Sequence, residues 1–129
     1  MAKPAFTQLA VYRLAEDIAD RIWTLALQWD TFAKDTVGKQ LVRAADSIGA
    51  NIAEGVGRGS YKENRRFVRI ARGSLNEVHH FLRRAFRRGL LTEEEVSALR
   101  PPMDELGLRL NAYLKSIGSS RKRRSHEDN

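Results

Sequence analysis

Apolar residues recur along this chain at spacings of three and four, and period-two alternation is rare. That periodicity predicts helices and no sheet. Four helices follow. The first spans about Gln8 to Trp29, with Val11, Ala15, Ile18, Ile22, Leu25 and Trp29 forming a seam. Thr7 is placed to cap it, with Phe6 and Val11 as a hydrophobic staple. Beside the seam, Tyr12, Ala19, Trp23 and Ala26 form a second apolar stripe, more than one buried face requires. Asp30 to Asp35 is expected as a loop. The second helix spans about Thr36 to Gly55 on Val37, Leu41, Ala44, Ile48 and Ile52, and the glycine-rich run Gly55-Val56-Gly57-Arg58-Gly59 ends it. The third spans about Tyr61 to Arg88 on Phe67, Ala71, Ser74, Val78, Leu82 and Ala85, opened by the Ser60–Glu63 capping signal and stopped at Gly89. The fourth opens with the Thr92–Glu95 capping box and carries Val96, Leu99, Met103, Leu106, Leu110, Tyr113 and Ile117. Pro101 and Pro102 fall inside it. Proline lacks the N–H donor and crowds the preceding turn, so a kink or break is expected near Arg100. Short connections between such helices favour antiparallel neighbours. The predicted fold is an all-α, up-down-up-down antiparallel four-helix bundle over residues 1–118. Residues 119–129, with the basic run Arg121-Lys122-Arg123-Arg124, are expected to form a disordered basic tail.

Composition narrows the classes. With 129 residues, 42% of them hydrophobic, the chain can build one core. It contains no cysteine, which excludes disulfides, thiolate metal sites and a cysteine nucleophile. No apolar run approaches a membrane span, and Met1 to Leu9 carries no signal-peptide core, so a cytoplasmic protein without membrane contact is expected.

The net charge is +7 and it is concentrated. Residues 60–90 hold nine Lys/Arg against two Asp/Glu, an excess equal to that of the whole chain. Arg65, Arg66, Arg69 and Arg72 step along the third helix, and Arg83, Arg84, Arg87 and Arg88 crowd its last turns. Guanidinium forks fit phosphate oxygens, which makes these eight arginines candidate contacts to an RNA or DNA backbone. A solvated face, inter-subunit salt bridges and the helix dipole are the competing explanations. No base-reading motif accompanies them, so binding led by backbone and shape is expected.

Arg43, Ser47, Asn51, Glu54 and Arg58 form a polar line beside the seam of the second helix. With a reversal near Arg58, Arg43 is brought toward Ser74 and Glu77, and Asn51 and Glu54 toward Arg66 and Glu63. Buried inter-helix pairs are the simplest role for such a line. The inventory for catalysis is thin. His79 and His80 are adjacent and diverge on a helix, no metal-ligand pattern spans the helices, and the glycine run is not a phosphate-binding loop. Arg72 and His79 have the order, and at its limit the spacing, of the Arg–His pair in all-α ribonucleases of the HEPN class, a weaker alternative. No enzyme activity, metal or cofactor is expected.

Arg43-Ala44-Ala45-Asp46-Ser47-Ile48, Asn51-Ile52-Ala53-Glu54-Gly55, Gly57-Arg58 and Gly73-Ser74-Leu75-Asn76-Glu77 together resemble bacterial four-helix-bundle proteins called 23S rRNA intervening-sequence proteins. The resemblance runs from about Leu9 to Ile117. It implies a ring-shaped homo-oligomer, commonly a pentamer, and assigns Arg43, Ser47, Asn51, Glu54, Gly55, Arg58, Gly73, Ser74 and Glu77 to fold and assembly. It also implies a relation to the accessory bundle proteins of diversity-generating retroelements, where such a bundle binds nucleic acid and a reverse transcriptase. The function expected is a non-enzymatic oligomeric adaptor that contacts nucleic acid through the third helix. A protein-interaction module without nucleic acid is the alternative.

Overall fold

The computed structural model describes residues 3–118; the expected tail at 119–129 lies outside them. Four helices carry the fold: α1 (Ala10–Leu27), α2 (Lys39–Gly57), α3 (Tyr61–Arg87) and α4 (Glu93–Ser116). Each packs on its neighbours in chain order and α4 closes against α1, so α1 and α3 are diagonal, as are α2 and α4. Among the described residues there is no strand. The buried seams are those the spacing predicts. Ile18 and Ile22 of α1, Ile48 and Ile52 of α2, Val78 of α3 and Leu106 and Leu110 of α4 are fully enclosed.

Where the helices begin and end differs in places. Thr7 does not cap α1. It sits in a 3-10 turn, Ala5–Gln8, and donates its hydroxyl to Pro4, while Leu9 precedes α1 without a side-chain cap. Asp30 to Asp35 is not a loop. The Asp30 carboxylate accepts from the Ala33 N–H at 3.0 Å and starts a helical turn, Thr31–Ala33, that continues through a π segment, Lys34–Gly38, into α2. The wide turn places Gly38 against the Trp29 ring, where an added Cβ would stand 3.4 Å away.

Of the kink or break expected near Arg100, the break does not occur: α4 is continuous through Pro101 and Pro102. The missing N–H groups deprive the carbonyls of Ser97 and Ala98 of their helical donors. Both residues are exposed, so water can satisfy those carbonyls. Ser60 accepts from the Glu63 N–H at the start of α3, and Thr92 forms a reciprocal capping box with Glu95 at the start of α4. Gly59 and Gly89 adopt positive φ in the turns that follow α2 and α3.

The α2–α3 contact is the most extensive in the bundle. A Cβ on Gly55 would lie 2.5 Å from Asn64 Oδ1 and 3.1 Å from Phe67 Cβ. At the other side of α3's opening turns, an Arg65 guanidinium nitrogen donates to the Ile117 carbonyl at 3.1 Å and ties down the end of α4.

Candidate nucleic-acid interface

The arginines of α3 separate into two groups. Arg65, half-buried, is committed to Ile117. Arg72 donates to Asn111 Oδ1 on α4 at 3.2 Å. Arg66 pairs with Glu63 at 3.5 Å and lies over the Phe67 ring, 5.2 Å from its centroid, with Arg58 over the same ring at 5.0 Å. Arg65 and Arg72 tie α3 to α4, Arg58 reaches from the end of α2 onto α3, and Arg66 bonds only within its own helix. Arg69, Arg83, Arg84, Arg87 and Arg88 have no ion pair among the described residues. All are exposed except the half-buried Arg84. On a helical projection Arg69, Arg83, Arg84 and Arg87 lie within about a quarter turn either side of the direction pointing away from the core. The helix C-terminus favours cations, which accounts for part of the crowding at Arg84, Arg87 and Arg88. It does not account for Arg69, mid-helix.

The polar line of α2 is placed differently from expectation. Ser47 donates to the carbonyl of Ala44, Asn51 donates to that of Ser47, and Glu54 pairs with Arg58 at 3.1 Å. No bond from Arg43 to Ser74 or Glu77 is present among the described residues. The line bonds its own helix, because short polar side chains reach carbonyls one turn back more easily than a partner across the seam. Only Arg58 crosses, onto Phe67. Gly55 is required by close approach, whereas a Cβ on Gly73 would meet nothing within 4 Å. Ser74 is buried, and Glu77 is exposed.

Glu16 and Asp20 on α1 and Asp46 on α2 border a cleft between these helices. Burial, and then the charge of Asp20, push the Asp46 carboxyl above its ordinary range. Burial and a hydrogen bond to Glu16 raise the Tyr12 hydroxyl.

Sequence reasoning missed a groove between α3 and α4. A cavity of about 680 Å³ is lined by Leu82, Phe86, Val96 and Met103, with Arg83 and Glu93 on its edges. A second of about 480 Å³, which includes Arg72 and Asn111, shares His79, Met103 and Asp104 with it. The two run together. Arg72 and His79 therefore open onto one groove, though the Arg72 guanidinium is already held by Asn111. Gly107 was the one signal in the sequence, a small residue at the groove beside Leu75. Among the described residues, no three His, Asp or Glu side chains come together as a metal-binding group, and no helix is long and apolar enough to cross a membrane.

The fold and this basic surface define an all-α helical-bundle protein. The chain belongs to the family described as 23S rRNA-intervening sequence protein, which it matches over residues 7–112. It is also similar to a solved structure of a protein of unknown function from the S23 ribosomal protein family of Bacteroides thetaiotaomicron VPI-5482. That likeness has a TM-score of 0.73 at 25% identity and covers 83% of this chain and 100% of the other. No curated protein matches the chain.

Proposed function

We propose that this protein is a non-enzymatic, oligomeric adaptor that holds the phosphate backbone of RNA or DNA on the solvent face of α3. The observation that carries the reading is the set Arg69, Arg84 and Arg87: three guanidinium groups on one outward surface with no acid partner among the described residues. The family description names an insertion in 23S rRNA, which supports RNA as the first nucleic acid to test. The proposed assembly is a homopentamer, following the resemblance. The proposed setting is the bacterial cytoplasm, with a reverse transcriptase or another nucleic-acid enzyme as the proposed partner class.

The test is the salt dependence of binding to unrelated RNA and DNA oligonucleotides, read by fluorescence anisotropy. Removing one arginine–phosphate pairing should lower the slope of log K against log salt by about 0.7–0.9. An Arg69/Arg84/Arg87→Gln variant should therefore show a slope smaller by about 2–3 units, equally for every sequence, because phosphate contacts carry no sequence information. Its thermal midpoint should move little, since none of the three is in an ion pair among the described residues and the exposed charges at Arg69 and Arg87 contribute about 0–1 kcal/mol each. An unchanged slope would overturn the reading. Wild-type protein that binds no oligonucleotide at low salt would leave the protein-interaction alternative.

A further inference from the structure

Arg13, Glu16, Asp20, Trp23 and Leu27 follow one another on α1 at spacings of three, four, three and four, so they form one outward ridge with a base at its foot, two acids above it and two apolar residues at the top. The two apolar members are open to solvent: Trp23 is 54% exposed and Leu27 53%. Neither the seam nor any bond among the described residues explains a tryptophan and a leucine there. Isolated exposed apolar residues are ordinary, but a tryptophan beside a leucine flanked by two acids is the composition of an interface anchor. Across the bundle, the α3–α4 groove has the complementary order. Its upper part, at Leu82, Phe86 and Val96, is apolar, and its α3 wall carries Arg72, His79 and Arg83. Glu93, Arg100 and Asp104 stand on the α4 side.

We propose that the α1 ridge of one copy docks into the α3–α4 groove of a second copy, with Trp23 and Leu27 in the apolar part and Glu16 and Asp20 against the basic α3 wall. This rests on the oligomeric reading above and goes beyond it by naming the two surfaces. α1 and α3 are diagonal and do not touch, so no chain can seat its own ridge in its own groove. The contact is therefore heterologous, joining unlike surfaces of successive copies. The levels agree as well. α1 and α3 run in the same direction in an up-down-up-down bundle. Trp23 lies one turn before the end of α1, and Arg83 one turn before the end of α3. The acids lie lower on α1, as Arg72 does on α3. From Glu16 to Leu27 the ridge measures about 16 Å, and from Arg72 to Phe86 the groove measures about 21 Å. A pure rotation about an axis along the bundle matches them without a shift, which is the condition for a closed ring rather than a filament.

Two variants at exposed positions test this. Trp23→Arg/Leu27→Arg spoils the ridge and leaves the groove. Arg83→Glu/Phe86→Glu spoils the groove and leaves the ridge. Light scattering on wild type should give a multiple of 14.7 kDa at micromolar concentration. Each variant, checked for helicity by circular dichroism, should stay at the single-chain mass up to about 100-fold higher concentration, the loss expected for removing an interface hot spot. Mixed together, they should form a heterodimer of twice the single-chain mass and nothing larger, because only one good ridge and one good groove remain. That heterodimer also shows that both variants are folded. An assembled wild type whose variants still assemble, or whose variants fail to combine, overturns these surfaces while the oligomeric reading stands. A wild type that remains at single-chain mass overturns both.

Discussion

At Gly55 a hydrogen stands where any other residue would place a carbon into Asn64 Oδ1 and Phe67 Cβ. Asn64 is itself a joint. Its amide nitrogen donates to the Tyr113 hydroxyl on α4 at 3.4 Å, and its Oδ1 is buried without a hydrogen-bond partner among the described residues. Gly55→Ala should therefore destabilise by about 1–3 kcal/mol, the usual cost of overpacking, seen as a lower urea midpoint at unchanged slope. Combined with Asn64→Ala, the loss should fall short of the sum of the two single losses, because the two side chains contest one space. Gly73→Ala should be neutral or gain up to about 1 kcal/mol, since that glycine carries only the entropic cost of its flexibility. The two glycines stand in separate segments of the family resemblance, and the distance to the facing helix separates their roles.

The four helices were legible because burial follows spacing. Each seam residue named from the sequence is buried or half-buried, down to Ser74, the polar member. What spacing does not encode is how backbone groups are satisfied. Asp30 is itself a favoured capping residue, but no glutamate stands three residues on to strengthen the signal, and Phe32 breaks the apolar period just where the helix begins. The proline pair signals a break by the same local logic. No break follows, because Ser97 and Ala98 are exposed and water can satisfy their stranded carbonyls. Pro101→Ala/Pro102→Ala should supply those carbonyls with N–H donors. The expected gain is about 1–3 kcal/mol, reduced by the added entropy of the unfolded chain. Amide exchange in α4 should slow around Met103. The groove was invisible for a related reason: its width depends on how far α3 stands from α4, which no residue of either helix states by itself. The split among the arginines follows, since Arg65 and Arg72 reach α4 and Arg69 does not.

For the molecule as a whole, the bundle leaves unlike surfaces unsatisfied on opposite sides: an acidic ridge with a tryptophan, and a groove with a basic wall. If association covers them, stability belongs to the assembly and depends on mass action. The thermal midpoint of wild type should then rise with protein concentration, while that of Trp23→Arg/Leu27→Arg should not, measured by circular dichroism across a hundred-fold range. The direction of α3 matters here too. Arg84, Arg87 and Arg88 all sit at its last turn, the end of the bundle away from the Arg65–Ile117 tie. In the proposed ring, copies related by rotation alone turn those ends the same way, which would gather the arginines on one rim. A strand lying along that rim meets its second docking point as an intramolecular event. Avidity then grows with the number of copies touched, although each copy offers only a few phosphate contacts. Such an object would grip long nucleic acids and let short ones go, with no means of reading sequence.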